Sequence, residues 1–246
     1  KSDQLRAGNR LGKFLLRHGR RPAAGIKPRT MAYRHWVKTG GRFDQPAQMS
    51  VLIDYITEVE HAAGRIERLE RDIEAAVQTA PESMRTVIEA LQALRGIAKV
   101  SAVTIVAELG QLSRFARARQ LMGYAGVVSS EYSTGGKQRR GSITKTGNSH
   151  LRRIVGEAAW AYRHRPAIGK TLRARQAGLS EQVKEIAWKA QHRLHGRYRL
   201  LAGKGKVRQK VFTALSRELL GFIWSIGVTV EQTTSPSTGI KRHLAA

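Results

Sequence analysis

The chain has 246 residues, 44 Lys and Arg against 18 Asp and Glu, a formal net charge of +26 and no cysteine. That imbalance repels itself in a compact chain and is tolerated when the usual partner is a polyanion, nucleic acid ahead of any other. The missing cysteines exclude disulfides and Cys-based zinc sites, and no uninterrupted apolar run approaches the roughly 18 residues of a bilayer span, so no membrane partner is expected.

Residues 1–47 are basic and broken. A helix is expected from Gln4 to His18, with Leu5, Leu11, Leu15 and Leu16 as its apolar stripe. Gly19, Pro22, Gly25 and Pro28 then interrupt regular structure, and a short amphipathic piece follows around Tyr33 to Val37. Over residues 48–80 the periodicity is clearest. Leu52, Val59, Ile66 and Ile73 recur every seven residues, with Tyr55, Ala62, Leu69 and Ala76 three further on. Charged residues such as Glu58, Arg65, Glu67 and Arg71 flank this seam, which reads as a coiled-coil helix ended by Pro81. The seam either joins two subunits into a homo-oligomer or packs as an antiparallel hairpin within one chain.

Short helices with tight turns are expected over 83–128. In outline the text matches a helix-hairpin-helix. One helix ends at Gly96, the turn carries Ile97-Ala98-Lys99-Val100, and a second helix runs from Ser101 to Leu109 with Ser101 as its N-cap. In such a unit the turn amides and the second helix's N-terminus face a phosphate, which puts Lys99 and Ser101 among the candidate DNA contacts. An ordinary helical hairpin in a core fits the same text. Phe115, Leu121, Met122 and Tyr124 then supply another amphipathic helix, ended by Gly126.

Residues 129–149 are rich in Gly, hydroxyls and cations, with Glu131 as the one acid. They cannot bury a core and read as a flexible cationic loop suited to a phosphodiester backbone. From 150 to 230 three helical stripes are expected: Leu151 to Tyr162, Val183 to Leu194, and Val211 to Ile223. Trp160, Trp188 and Trp224 fall on these faces and read as core residues. Thr233 to Ala246 look frayed.

Metal-dependent phosphoryl transfer needs several converging carboxylates. From Leu91 to Arg217 the acids are only Glu108, Glu131, Glu157, Glu181 and Glu185, so no metal set is expected on this chain. The His residues are scattered among cations and read as polar surface. A hydroxyl nucleophile is left. A serine can attack a phosphodiester where cations neutralise the non-bridging oxygens, and Ser133, Thr134, Lys137, Arg139, Arg140 and Lys145 offer those parts in one stretch.

Several ordered blocks carry a resemblance: Ala107-Glu-Leu-Gly, Arg114-Phe-Ala, Leu121-Met-Gly-Tyr-Ala-Gly, Glu131-Tyr-Ser-Thr-Gly-Gly-Lys, Gly141-Ser-Ile-Thr-Lys-Thr-Gly-Asn-Ser-His-Leu-Arg-Arg and Ala159-Trp-Ala-Tyr-Arg-His-Arg-Pro. The chain resembles the C-terminal transposase domain of a bacterial insertion-sequence family whose relatives include the Piv DNA invertase and the bridge-RNA-guided serine recombinases. The resemblance implies that a serine attacks DNA to give a phosphoserine intermediate, resolved later by another strand's hydroxyl, with no nucleotide cofactor. It implies Mg²⁺ held by an N-terminal RuvC-like domain, whose acidic motifs would lie upstream of residue 1. It implies DNA as partner, a structured guide RNA as in some relatives, and action in the bacterial cytoplasm at the nucleoid. By residue, it assigns the nucleophile to Ser133, with Thr134 as the alternative one position on. Phosphate binding falls to Lys137, Arg139, Arg140 and Lys145, with Asn148, Arg152 and Arg153 beside them and Asn148 capping the next helix.

The expected architecture is all-α. A basic remnant spans 1–47, a coiled-coil helix 48–80, and a helical domain 83–230 that holds the helix-hairpin-helix-like unit and the basic Gly-rich loop; a disordered tail fills 231–246. The expected function is transposition or site-specific recombination by serine attack. The rival is a non-catalytic DNA- or RNA-binding fragment of such an enzyme.

Overall fold

The computed structural model describes residues 1–134, 136 and 139–234, with the backbone alone at Arg140. Ten α-helices and one two-stranded sheet make up these residues, so the chain is mostly helical as expected. It divides into two compact units, Lys1–Ala76 and Val77–Ala246.

In the first unit α1 (Ser2–Arg17), α2 (Met31–Thr39) and the long α3 (Pro46–Thr79) share one core. Leu11, Leu15, Val37, Phe43 and Leu52 are buried together, with Phe14, Tyr33, Trp36, Tyr55 and Val59 packed against them. The charged pairs fix the direction of packing. Lys1 Nζ meets Glu70 at 3.2 Å, Arg10 pairs with Glu58, and the Phe14 and Tyr55 rings lie 5.3 Å apart. As the number falls on α1 it rises on α3, so the two helices are antiparallel. The heptad seam therefore finds an intrachain partner along its first half. Farther on, Leu69 is 50% exposed. Within residues 1–47, α1 and α2 supply the side chains that cover Leu52. Leu5 and Leu16, two of the four leucines expected on one stripe, face outward at 45% and 46% exposure.

The second unit is built around α10 (Arg208–Thr234), which packs on α4 (Glu82–Leu91), α6 (Ala118–Tyr124), α7 (Ser149–Ala159) and α9 (Glu181–Gly203). Val211, Leu215, Leu219, Leu220, Ile223 and Ile226 are buried along it. By length and composition α10 could cross a membrane, though half of its most apolar window is buried inside the protein; no uninterrupted apolar run in the sequence announced it. The helix continues to Thr234, four residues into the expected tail. Glu231 is the reason: its carboxylate accepts the Leu112 and Ser113 amides at 2.7 Å each and caps the start of the 3₁₀ turn Leu112–Arg114. Residues 235–246 of that tail lie outside the described residues.

The helix-hairpin-helix text folds with shifted boundaries. α4 stops at Leu91, 3₁₀-like turns carry the chain to Ile97, and α5 (Lys99–Leu109) begins two residues early. Ala98, extended at φ −101° and ψ 177°, is its N-cap, so Ser101 is the third helical residue and not the cap. Arg95 on the turn donates to the carbonyls of His164, Arg165 and Ala167, at 3.2, 2.8 and 2.9 Å. The turn's carbonyls are also engaged, Ala93 by Gln176 and Ile97 by Arg175. Much of this turn is committed to packing within the unit.

Tyr162 is fully buried beside Arg95 and Arg175. Burial pushes its phenol far above the usual range, and the two guanidiniums oppose that only in part. Burial likewise lowers the Arg175 guanidinium. Trp160 and Trp188, expected in the core, are 38% and 40% exposed. Each lies at the edge of its helix's apolar stripe, Trp160 against Phe212 and Trp188 against His192. Trp224 is half-buried and donates Nε1–H to the Phe115 carbonyl at 2.8 Å.

Candidate active site

The expected loop over 129–149 is a β-hairpin. β1 (Ser129–Glu131) and β2 (Arg140–Ile143) pair antiparallel, Ser129 opposite Ile143 and Glu131 opposite Arg140, with a bulge between. The Tyr132 amide donating to the Arg139 carbonyl at 2.9 Å carries the ladder one step toward the tip. Backbone pairing supplies the order here, which is why a segment with so little to bury still takes a defined shape.

The hairpin's root is fixed. Thr144 N–H donates to Val128, Lys145 N–H to Gly126 and Asn148 N–H to Tyr124, at 2.9 to 3.0 Å. Gly126 and Gly147 sit at φ +65° and +81°, and a Cβ on either would overlap a carbonyl oxygen of the opposing segment, Thr146 for Gly126 and Tyr124 for Gly147. Only glycine allows the two chain segments to cross this closely. Arg152 reaches in from α7 and donates to the Ala125 carbonyl at 2.9 Å.

Asn148 ties the root to two helices. Its Oδ1 accepts from Leu151 N–H at 2.8 Å and caps α7, while its Nδ2 donates to Glu108 Oε2 at 2.6 Å near the end of α5. Tyr124 completes the corner. Its hydroxyl donates to the Glu108 carbonyl at 3.4 Å, and Arg114 lies over its ring at 5.0 Å.

Beyond this fixed root the described side chains toward the tip are exposed. Tyr132 is 70% exposed, and Ser133, Thr134 and Arg139 are exposed with it. Ser133 Oγ donates to Glu131 Oε1 at 2.8 Å. Residues two apart on an extended strand share a side, so the Glu-Tyr-Ser order could have revealed this pair from sequence. A hydroxyl held on a carboxylate is polarised and has a proton acceptor in place as its oxygen becomes nucleophilic. Exposed Arg139 and Lys145 belong to the same hairpin; Lys137 lies outside the described residues, as does the Arg140 side chain.

The other expected contacts separate into groups. Asn148 and Arg152 spend their side chains on the root. Arg153 is exposed and pairs with Glu157 at 3.0 Å. Lys99 and Ser101 lie at the start of α5, whereas Glu108 holds the hairpin root near its end, a separation of roughly 10–14 Å along the axis at 1.5 Å per residue. Four residues without an expected role help build the site, Glu108, Arg114, Tyr124 and Glu131. Among the described residues no group of three or more His, Asp and Glu could hold a metal ion, and the Glu131–Ser133 pair alone does not fit the octahedral oxygen set that Mg²⁺ takes.

Residues 88–173 match the model of the transposase IS116/IS110/IS902 family. Protein y4qE of Sinorhizobium fredii, whose name places it among transposases, is 41% identical over 223 residues, 90% of this chain and 53% of its own. A Pseudomonas aeruginosa protein named as a family 20 transposase is 35% identical over 61% of this chain and 42% of its own. The transposase for insertion sequence element IS1533 of Leptospira borgpetersenii is 25% identical over 83% of this chain and 58% of its own. The chain thus spans about half the length of the curated relatives it matches.

Proposed function

We propose that the chain, whose residues 88–173 match the model of the transposase IS116/IS110/IS902 family, carries the strand-exchange chemistry of a DNA transposase, with Ser133 as nucleophile. The observation that carries this reading is the exposed Ser133 hydroxyl donating to Glu131 at the tip of a hairpin whose root is locked. The Ser133 oxygen forms a bond to a DNA phosphorus, and its proton passes to Glu131. The bond from phosphorus to the departing strand's oxygen breaks, and that oxygen leaves as a hydroxyl once protonated. The phosphodiester energy is kept in the serine ester until a hydroxyl of another strand reverses the exchange. Arg139 and Lys145 offset the phosphate charge during both steps.

The Mg²⁺ implied by the family resemblance finds no ligand set among the described residues, and no step above runs through it. A RuvC-like domain is the proposed holder. DNA is the proposed partner, a structured guide RNA a second, and the bacterial cytoplasm the proposed place of action. The wider kinship with the Piv invertase and the bridge-RNA-guided recombinases is part of the same proposal.

The test is covalent. The whole protein carrying this sequence is incubated with a junction DNA and Mg²⁺, then denatured. An adduct lost in Ser133→Ala and kept in Thr134→Ala supports the assignment. The opposite pattern moves the nucleophile to Thr134. An adduct that survives both replacements overturns the assignment to this pair of hydroxyls, and no adduct at all favours a non-catalytic nucleic-acid-binding role.

A further inference from the structure

Trp160 follows directly on α7, and its ring is stacked on Phe212 of α10, with centroids 3.8 Å apart and planes 24° from parallel. Two guanidiniums lie over that ring, Arg208 at 5.2 Å and Arg163 at 5.7 Å. A guanidinium held by an aromatic ring keeps its N–H fork free for a phosphate while losing less freedom on binding.

The connection between α9 and α10 adds Lys204 and Lys206, and the first turn of α10 adds Lys210, all exposed. Its backbone is fixed: Gly205, at φ +65°, donates to Ala202 at 2.9 Å, and Lys206 donates to Leu201 at 3.2 Å, the two bonds of a Schellman ending. Among the described residues no carboxylate forms an ion pair with Arg163, Lys204, Lys206, Arg208 or Lys210. Glu218, the one acid of α10 before Glu231, is taken by Arg193 and Arg197.

Lysines at the end of α9 could simply complement its dipole. That account fails for Arg208 and Lys210. They occupy the first turn of α10, where the dipole disfavours cations, and that turn holds no acid. A surface that breaks a local stability rule without a compensating partner points to a use outside the fold.

We propose that Trp160, Arg163, Lys204, Lys206, Arg208 and Lys210 form a second phosphate-backbone contact for nucleic acid, separate from the hairpin. Asn148 at the hairpin root and Trp160 stand at opposite ends of α7, roughly 18 Å apart along its axis. The two guanidiniums take phosphate oxygens through paired N–H donors, and the three lysines extend the contact along the strand. The inference rests on nucleic acid being the partner and is independent of which residue is the nucleophile.

The test is the salt dependence of binding by the full chain to fluorescent duplex DNA and, separately, to a folded RNA. Lys204→Ala/Lys206→Ala/Lys210→Ala lowers the magnitude of the slope of log affinity against log salt by about 2.7 on duplex DNA, three contacts at about 0.9 each, and weakens binding about tenfold or more near 0.1 M salt. The corresponding Lys→Arg triple variant restores the slope, which a folding defect would not do. Arg139→Ala/Lys145→Ala is measured in parallel as the hairpin control. A slope change on either polymer supports the surface and identifies which polymer it holds. Slopes unchanged on both polymers, while the hairpin variant weakens binding, overturn this inference and leave the hairpin reading standing.

Discussion

The Asn148 side chain donates to the Glu108 carboxylate at 2.6 Å while its own oxygen caps α7. One amide therefore ties the end of α5, the start of α7 and the root of the hairpin. Asn148→Ala removes the cap, worth about 1 kcal/mol, and strips Glu108 of a donor, worth about 1–3 kcal/mol where the site is shielded from water. The expected loss is about 2–4 kcal/mol in denaturant unfolding. Asn148→Ser keeps a cap but cannot span to Glu108, so it falls between the two.

Glu131→Gln keeps the shape and a hydrogen-bond acceptor beside Ser133 but removes the proton sink. Adduct formation is expected to slow about a hundredfold or more, with DNA affinity no weaker. An unchanged rate assigns Glu131 a merely structural part.

Alkaline stability reports on Tyr162. Its phenol is held protonated in the folded chain by burial, while in the unfolded chain it titrates near 10. Above that value the unfolded state sheds a proton that the folded state keeps. The stability contributed is complete below about pH 10 and then falls, by at most about 1.4 kcal/mol per pH unit. In Tyr162→Phe this part of the alkaline slope is absent, as unfolding midpoints measured between pH 9 and 11 would show.

The two halves of the α3 seam answer differently to mutation. Leu52 is buried against α1 and α2, so Leu52→Ala costs about 2–5 kcal/mol of stability. Leu69 is half exposed, so Leu69→Asp leaves the fold intact and instead abolishes any self-association through the second half of α3. Sedimentation velocity separates the two effects. Association unaffected by Leu69→Asp removes the subunit-joining alternative read from this seam.

The helices were legible because long runs such as Leu52 to Ile73 and Val211 to Ile223 repeat with a helical period, although in the first of them only Leu52 is buried. Asn148 was legible as a cap because Asn before a helical stripe has few other uses. The hairpin was hidden: strands of three and four residues carry no alternation, and their order comes from backbone bonds that no side chain advertises. Ser101 misled for the opposite reason. It is a good capping residue, but Ala98 is already extended and α5 starts without any side-chain cap. The exposed Trp160 misled as well, since a tryptophan on an apolar stripe reads as core until Arg163 and Arg208 are seen over its ring. Within the site, hydroxyls and cations were evident from composition, whereas the Glu131–Ser133 pairing depended on recognising the strand.

Because α1 runs back along α3, Lys1 stands next to Glu70. Dyes at those two positions would sit within one another's transfer range and far along the chain from the hairpin. Their emission ratio would then serve as a ruler for the first unit alone, rising or falling only if α1 peels from α3, and it could be read during strand exchange without touching a residue of the proposed chemistry.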